Sequence, residues 1–177
     1  MTEVLERSIN TGAVFAEQQL GNGLFLKYLG KFGFLEKTGV DLQGEVFSQN
    51  QEFKKGYEIN FATASFGQGI EITPLQLVRA FCAVANGGKL VTPHLVEKIV
   101  DQDGQAKEVS QPEAESVISA QTSSQVVTMM TSVIENGYSK KAKIPGYFIA
   151  GKTGTAQVSW GALGESKPGY SDKTVQS

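Results

Sequence analysis

Lys152 lies in the run PGYFIAGKTGTAQ, Pro145 to Gln157, with Gly151 and Gly154 around it and Thr153 and Thr155 beyond. From Gly146 to Thr153 the run satisfies G-x-x-x-x-G-K-[ST], the pattern of loops that cradle nucleotide phosphates. Such a loop works because a flexible turn follows a strand and opens a helix, aiming backbone N–H groups at the phosphates. Here the four middle residues are Tyr147, Phe148, Ile149 and Ala150, which suit a strand and not a tight turn. The residues after Thr153 offer no helix. The pattern therefore lacks its context, and Lys152 is expected on a strand. A lysine there can grip a carboxylate together with threonine hydroxyls, while neighbouring glycines let an extended ligand approach the strand edge. In an ideal pleat Thr153 and Thr155 share one face and Lys152 points the other way, so joint action needs local twist or the long lysine stem. On spacing alone, a surface lysine beside two turn glycines remains the simpler reading. Triplets recur: Lys-Thr-Gly stands at 37–39 as well as 152–154, and Ser-x-Asn at Ser8-Ile9-Asn10 as well as Ser48-Gln49-Asn50.

The elements that must position these residues are legible in outline. The 177 residues are 40% hydrophobic, enough for one domain or part of a larger one. Residues 11–33 carry apolar side chains at helical spacing (Val14, Phe15, Leu24, Phe25, Tyr28, Leu29, Phe32), and Gly21 and Gly23 divide them into two helices. Residues 36–60 read as a long loop. ITPLQLVRAFCAVANGG is the clearest helix: Thr73 caps it, Pro74 suits its first turn, and Asn86-Gly87-Gly88 ends it. Its apolar face is Leu77, Val78, Phe81, Cys82 and Ala85, which makes Cys82 a core residue. HLVEKIVDQDGQAKEV reads as a hairpin turning at Asp103-Gly104. A further helix spans Gln121 to Glu135, with Val126, Val127, Met130, Val133 and Ile134 inward and Gly137 past its end. YFIAGKTGTAQVS has strand composition, and residues 159–177 read as an exposed loop.

Composition removes several functions. Sixteen basic residues against 18 acidic ones give a net charge of −2, with no basic stripe interleaved with aromatics, so no nucleic-acid partner is expected. One cysteine and one histidine, Cys82 and His94, cannot form a cysteine–histidine zinc cluster, and neither a metal nor a cofactor is expected. No apolar run reaches the length of a membrane span, and no signal peptide is visible.

Longer strings discriminate where triplets do not. RSINTGAVFAEQQLG, FGFLEKTGVDLQGE, FATASFGQGIEITPLQLVRAFCAVANGGKLVTPHLVEKI and IAGKTGTAQ resemble, in order, stretches of the transpeptidase domain of class B penicillin-binding proteins. The resemblance runs from about Leu5 to Gln157. It implies an α+β fold, with helices packed on a central, mainly antiparallel sheet as in the serine β-lactamases, here incomplete. It also implies peptidoglycan DD-transpeptidation, with stem peptides as substrates and β-lactam antibiotics as inhibitors. Divisome or elongasome membrane proteins would be partners, and the site of action the extracytoplasmic face of a bacterial membrane.

The family uses three motifs, S-x-x-K, S-x-N and K-[ST]-G. By context, Ser8 and Asn10 match the second, and Lys152, Thr153 and Gly154 the third. The resemblance implies that Ser8 relays a proton, that Asn10 bonds the acyl-side amide, and that Lys152 and Thr153 hold the terminal carboxylate. Gly154 would permit close approach, and the Thr155 N–H would serve the oxyanion hole. A helix-capping role for Ser8 and Asn10, before Thr11, stays open. No serine in the chain stands in S-x-x-K. The chain is thus expected to be an internal fragment of the domain, without a nucleophile and inactive alone. Two alternatives remain: a penicillin-recognising sensor or scaffold without turnover, and a short ATP-binding protein.

Overall fold

In a computed structural model the described residues are 1–176, the side chain of Gln176 excepted. They form two compact units, one of residues 1–22, 52–70 and 128 onward, the other of 23–51 and 71–127. All strand pairing among the described residues is antiparallel and in pairs: β1 (Lys89–Leu90) with β4 (Glu115–Ser116), β2 (Lys98–Val100) with β3 (Ala106–Glu108), and β5 (Thr155–Ser159) with β6 (Tyr170–Gln176).

The first unit holds α1 (Thr2–Glu6), α2 (Asn10–Leu20), α4 (Glu58–Ala64), the β5–β6 hairpin and the C-terminal half of α6 (Ala120–Asn136). Gly21 ends α2 at φ +83, a conformation open to glycine. Helix α2 packs on α4 and on α1. A Cβ on Gly12 would sit 2.6 Å from a Val4 methyl, so this glycine sets how closely α2 crosses α1. Phe53 and Phe61 are buried with ring centroids 5.2 Å apart, and Met130, Val133 and Ile134 of α6 are buried as the periodicity requires.

The second unit is built on α5 (Pro74–Ala85), which follows most of α3 (Asn22–Lys31). Helix α5 has a full capping box: the Thr73 hydroxyl accepts from the Gln76 N–H while Gln76 Oε1 accepts from the Thr73 N–H. The core is Ala83, Leu90 and Val117, with Phe32 and Ile118 packed on it. The β2–β3 hairpin turns at Gly104, φ +78, as its Asp-Gly sequence dictates.

Four sequence expectations are corrected. The long loop over 36–60 contains a 3-10 turn at Gln51–Lys55 and the start of α4. The strand expected over YFIAGKTGTAQVS is paired among the described residues only over Thr155–Ser159, where β6 stands opposite. The exposed loop expected at 159–177 is a 3-10 turn, Gly161–Leu163, leading into β6; residue 177 lies outside the described residues.

The fourth correction concerns α5. Leu77, Val78 and Phe81 are 36%, 57% and 43% exposed, Cys82 is exposed too, and the buried stripe is instead Gln76, Ala80 and Ala83. The helix has two packing stripes. Small side chains let it lie close to β1, and the larger apolar face is partly exposed among the described residues. Gln76 is fully buried because its Nε2 donates to the carbonyls of Gly33, at 3.2 Å, and Glu36, at 2.7 Å. Replacing Gln76 by Ala strands both carbonyls and opens the cap, which costs about 2 kcal/mol or more. Val78→Ala, in the face that looks like core, stays within about 0.5 kcal/mol. Urea unfolding of the two variants checks the inversion.

Candidate active site

Ser8 occupies the corner between α1 and α2. Arg7 closes α1 in a right-handed conformation, Ser8 turns left-handed at φ +51, and Ile9 opens α2. The Ile9 N–H donates to the Val4 carbonyl at 2.9 Å and fixes the corner. A non-glycine residue at positive φ is sparsely populated, and such strain concentrates at functional positions. The capping alternative finds no support, since α2 has no side-chain cap and neither Ser8 nor Asn10 fills that role.

Lys152 approaches from the far end of the sequence. Its ammonium donates to Ser8 Oγ at 2.7 Å and to the Thr153 carbonyl at 2.9 Å. Residues 144 positions apart thus meet in a hydrogen bond. No carboxylate pairs with Lys152 among the described ion pairs, and burial pushes its pKa below the ordinary lysine value. Alternation along the segment follows the pleat: Thr153, Thr155 and Gln157 are exposed, whereas Lys152, Gly154, Ala156 and Val158 are half-buried. Lys152 reaches Ser8 with its long stem, not through a twist that puts it on the threonine face.

What holds the two segments together is the C-terminal half of α6, a role the sequence did not reveal. The Gly151 N–H donates to the Met130 carbonyl at 3.3 Å, and a Cβ on Gly151 would stand 3.2 Å from Ile134 Cδ1. Gly151 therefore serves approach to a helix. On the other side, the Ser132 hydroxyl donates to the Glu6 carboxylate and receives the Asn136 amide. Gly137 lies so close that a Cβ would meet the Glu6 carbonyl at 2.6 Å and the Val133 carbonyl at 2.5 Å. The one sequence signal was a glycine just past a helix end, which reads equally as a terminator.

Asn10 opens α2 two positions beyond Ser8, with an exposed side chain. The Thr155 N–H lies in β5 opposite Gln176, at the end where the ladder with β6 stops. The structure thus gathers Ser8, Asn10, Lys152, Thr153, Gly154 and Thr155 in one unit. The phosphate-loop pattern lacks its context in the structure too, because Lys152 leads into strand β5 and not into the first turn of an α-helix. No cluster of metal-ligating side chains occurs among the described residues.

The duplicate triplets do different work in the other unit. Thr38 and Gly39 bind the Glu45 carboxylate, and the Asn50 amide brackets the Glu71 backbone, giving a bond to its carbonyl at 2.9 Å and taking one from its N–H at 2.8 Å.

The family model described as the penicillin binding protein transpeptidase domain matches residues 1–173. The chain belongs to the penicillin-binding protein transpeptidase family. Stage V sporulation protein D of Bacillus subtilis is 39% identical over 157 residues, spanning 88% of this chain and 24% of that protein. Penicillin-binding protein PbpB of Mycobacterium tuberculosis is 36% identical, with the same shares. These relatives are of class B. The chain thus spans about a quarter of the length of the curated relatives it matches. A crystal structure of penicillin binding protein 3 of M. tuberculosis with aztreonam superposes with a TM-score of 0.81 at 35% identity, covering 89% of this chain and 37% of that one. The fold is that of the penicillin-binding transpeptidases, helices with antiparallel strands, here as the α+β elements described above.

Gly137→Ala forces α1 away from α6 and costs about 1–3 kcal/mol, as over-packing does. In that penicillin-binding protein variant the Lys152–Ser8 hydrogen bond parts while the β5–β6 ladder persists. Amide and side-chain NMR of the two segments measures both.

Proposed function

We propose that this chain is part of a peptidoglycan DD-transpeptidase which cross-links stem peptides through a serine acyl-enzyme and is acylated by β-lactams. One observation carries the reading: the Lys152 ammonium rests on Ser8 Oγ at 2.7 Å, so the S-x-N and K-[ST]-G matches meet side by side. Two spurious triplets would have no reason to meet.

The chemistry follows from the geometry. Ser8 accepts from Lys152, so its own proton is free to be donated outward, toward a leaving nitrogen. A half-buried cation with no carboxylate partner among the described residues is suited to an anionic ligand, and the terminal carboxylate of a stem peptide or of a β-lactam supplies one. Thr153, on the exposed side of the segment, adds a hydroxyl to that grip. Gly154 lets the ligand lie against the backbone, Asn10 bonds the amide on the acyl side, and the Thr155 N–H stabilises the oxyanion. The attacking serine and its activating lysine belong to an S-x-x-K segment, which these 177 residues do not contain. The exposed Leu77–Val78–Phe81 face of α5 agrees with polypeptide that has yet to cover it. Within the parent protein the site would face peptidoglycan outside a bacterial membrane. No helix among the described residues is long and apolar enough to cross one.

Incubation with a fluorescent penicillin tests the reading. The 177-residue chain should acquire no denaturation-resistant label, and a longer polypeptide that supplies an S-x-x-K segment should acquire one. In that longer polypeptide Lys152→Ala should slow acylation roughly a hundredfold or more, the scale on which charge-stabilising groups act. Labelling of the short chain, or full labelling of the Lys152→Ala protein, would refute the assignment.

The pH dependence has a definite sign. Burial lowers the Lys152 pKa, so the positive charge that grips the substrate is lost as pH rises, and at lower pH than for an exposed lysine. The alkaline limb of the acylation profile should therefore fall early. Lys152→Arg should extend it upward, because guanidinium stays charged.

A further inference from the structure

The Lys37-Thr38-Gly39 triplet lies outside the site just described, yet it performs the same kind of recognition. The Glu45 carboxylate takes three hydrogen bonds from it: from the Thr38 N–H and the Thr38 hydroxyl through Oε1, each at 2.6 Å, and from the Gly39 N–H through Oε2 at 3.1 Å. Thr38 is 2% exposed, and Gly39 stands at φ +79. A turn that aims successive N–H groups inward is an anion-binding concavity, and a carboxylate is its natural guest. We propose that Thr38 and Gly39 form a second carboxylate receptor whose guest is Glu45, and that removing this guest vacates a site for a small free carboxylate.

Three features support the assignment. Both carboxylate oxygens are engaged, one by each residue of the turn, as in bidentate capture of a free carboxylate. The hydroxyl of a buried threonine contributes, so one donor is fixed by the packing although Gly39 is exposed and Glu45 half-buried. The Glu45 carboxyl is also held below its ordinary pKa: burial raises it, but the Thr38 hydroxyl, the two N–H groups and the charge of Lys37 together outweigh that. The receptor has a structural consequence. Its guest closes the loop from Thr38 to Glu45 on itself, and within this loop Asp41 accepts the Leu95 and Val96 N–H groups, each at 2.8 Å. With Gln76 holding the Gly33 and Glu36 carbonyls, the loop after α3 is fastened at its beginning, middle and end by side chains that bond backbone. A filled receptor of this kind also has no room for the carboxylate of an external ligand. The two Lys-Thr-Gly sequences therefore have separate guests, one internal and one external.

Chemical rescue decides the matter, read by hydrogen exchange of the Thr38 and Gly39 amides in the 177-residue chain. Wild-type amides should be protected, and Glu45→Ala should speed their exchange about tenfold or more, in line with the loss of charge-assisted hydrogen bonds. Added formate should restore most of the protection in Glu45→Ala, and none in the Thr38→Val, Glu45→Ala double variant. If Glu45→Ala unfolds the whole chain, Thr38→Val alone serves, and Gly39 exchange should quicken while the α6 amides stay protected. The proposal is overturned by unprotected wild-type amides, by an unchanged rate in Glu45→Ala, by formate having no effect there, or by formate acting equally on the double variant. In the Thr38→Val arm, unchanged Gly39 exchange overturns it as well.

Discussion

Two glycines packed on α6 hold this site together, Gly137 with no room for a Cβ and Gly151 with a tight one. Gly137 lets the end of α1 lie against the C-terminal turn of α6, and Gly151 lets the segment before β5 lie against the same helix. Close packing of backbone on helix transmits position rigidly, because interiors have few voids to absorb a shift. The Lys152–Ser8 hydrogen bond is the consequence. Neither residue seeks the other out; each is carried there by a neighbour docked on α6. A hydroxyl from one end of the sequence and an ammonium from the other thus share a geometry that local sequence could not impose.

The second constraint is electrostatic. Lys152 is half-buried and has hydroxyl and carbonyl acceptors but no ion-pair partner among the described residues. Removing a cation from water without a counter-ion is unfavourable, and its lowered pKa expresses that cost. Such a group holds latent affinity for an anion, as a receptor that awaits its guest does. The triplet at 37–39 shows the opposite state of similar chemistry, because its carboxylate is supplied by Glu45 and the demand is met internally. The comparison separates two states of similar donors: at 37–39 the chain itself provides the acceptor and fastens a loop, and at 152–154 no carboxylate of the described residues does so.

Helix α5 shows how far periodicity reaches. Its start and end were legible from Thr73, Pro74 and Asn86-Gly87-Gly88, because these act within one turn of the helix, whereas the Gln76 half of the capping box came from the structure. Its buried side was not legible. Hydrophobic spacing selected Leu77, Val78, Phe81 and Cys82, yet the chain buries Gln76, Ala80 and Ala83. Burial is decided by what lies opposite, and a glutamine that bonds two carbonyls enters the interior as readily as an alanine. Among the described residues the strand expected from Tyr147 onward is paired only from Thr155, where β6 stands opposite. β-Composition expresses suitability for a ladder, but a strand exists only where a partner supplies hydrogen bonds.

The sequence by itself determined the two helices divided at Gly21 and Gly23, the Thr73-capped helix, the helix over Gln121–Glu135 and the Asp-Gly hairpin. These are matters of local geometry. Only the tertiary structure decided that Ser8 and Lys152 touch, that Gly151 serves a helix, that the α5 apolar face stands open, and that Thr38 and Gly39 already hold a carboxylate. Each depends on atoms distant along the chain, and a one-dimensional pattern carries no record of which distant surfaces come into contact.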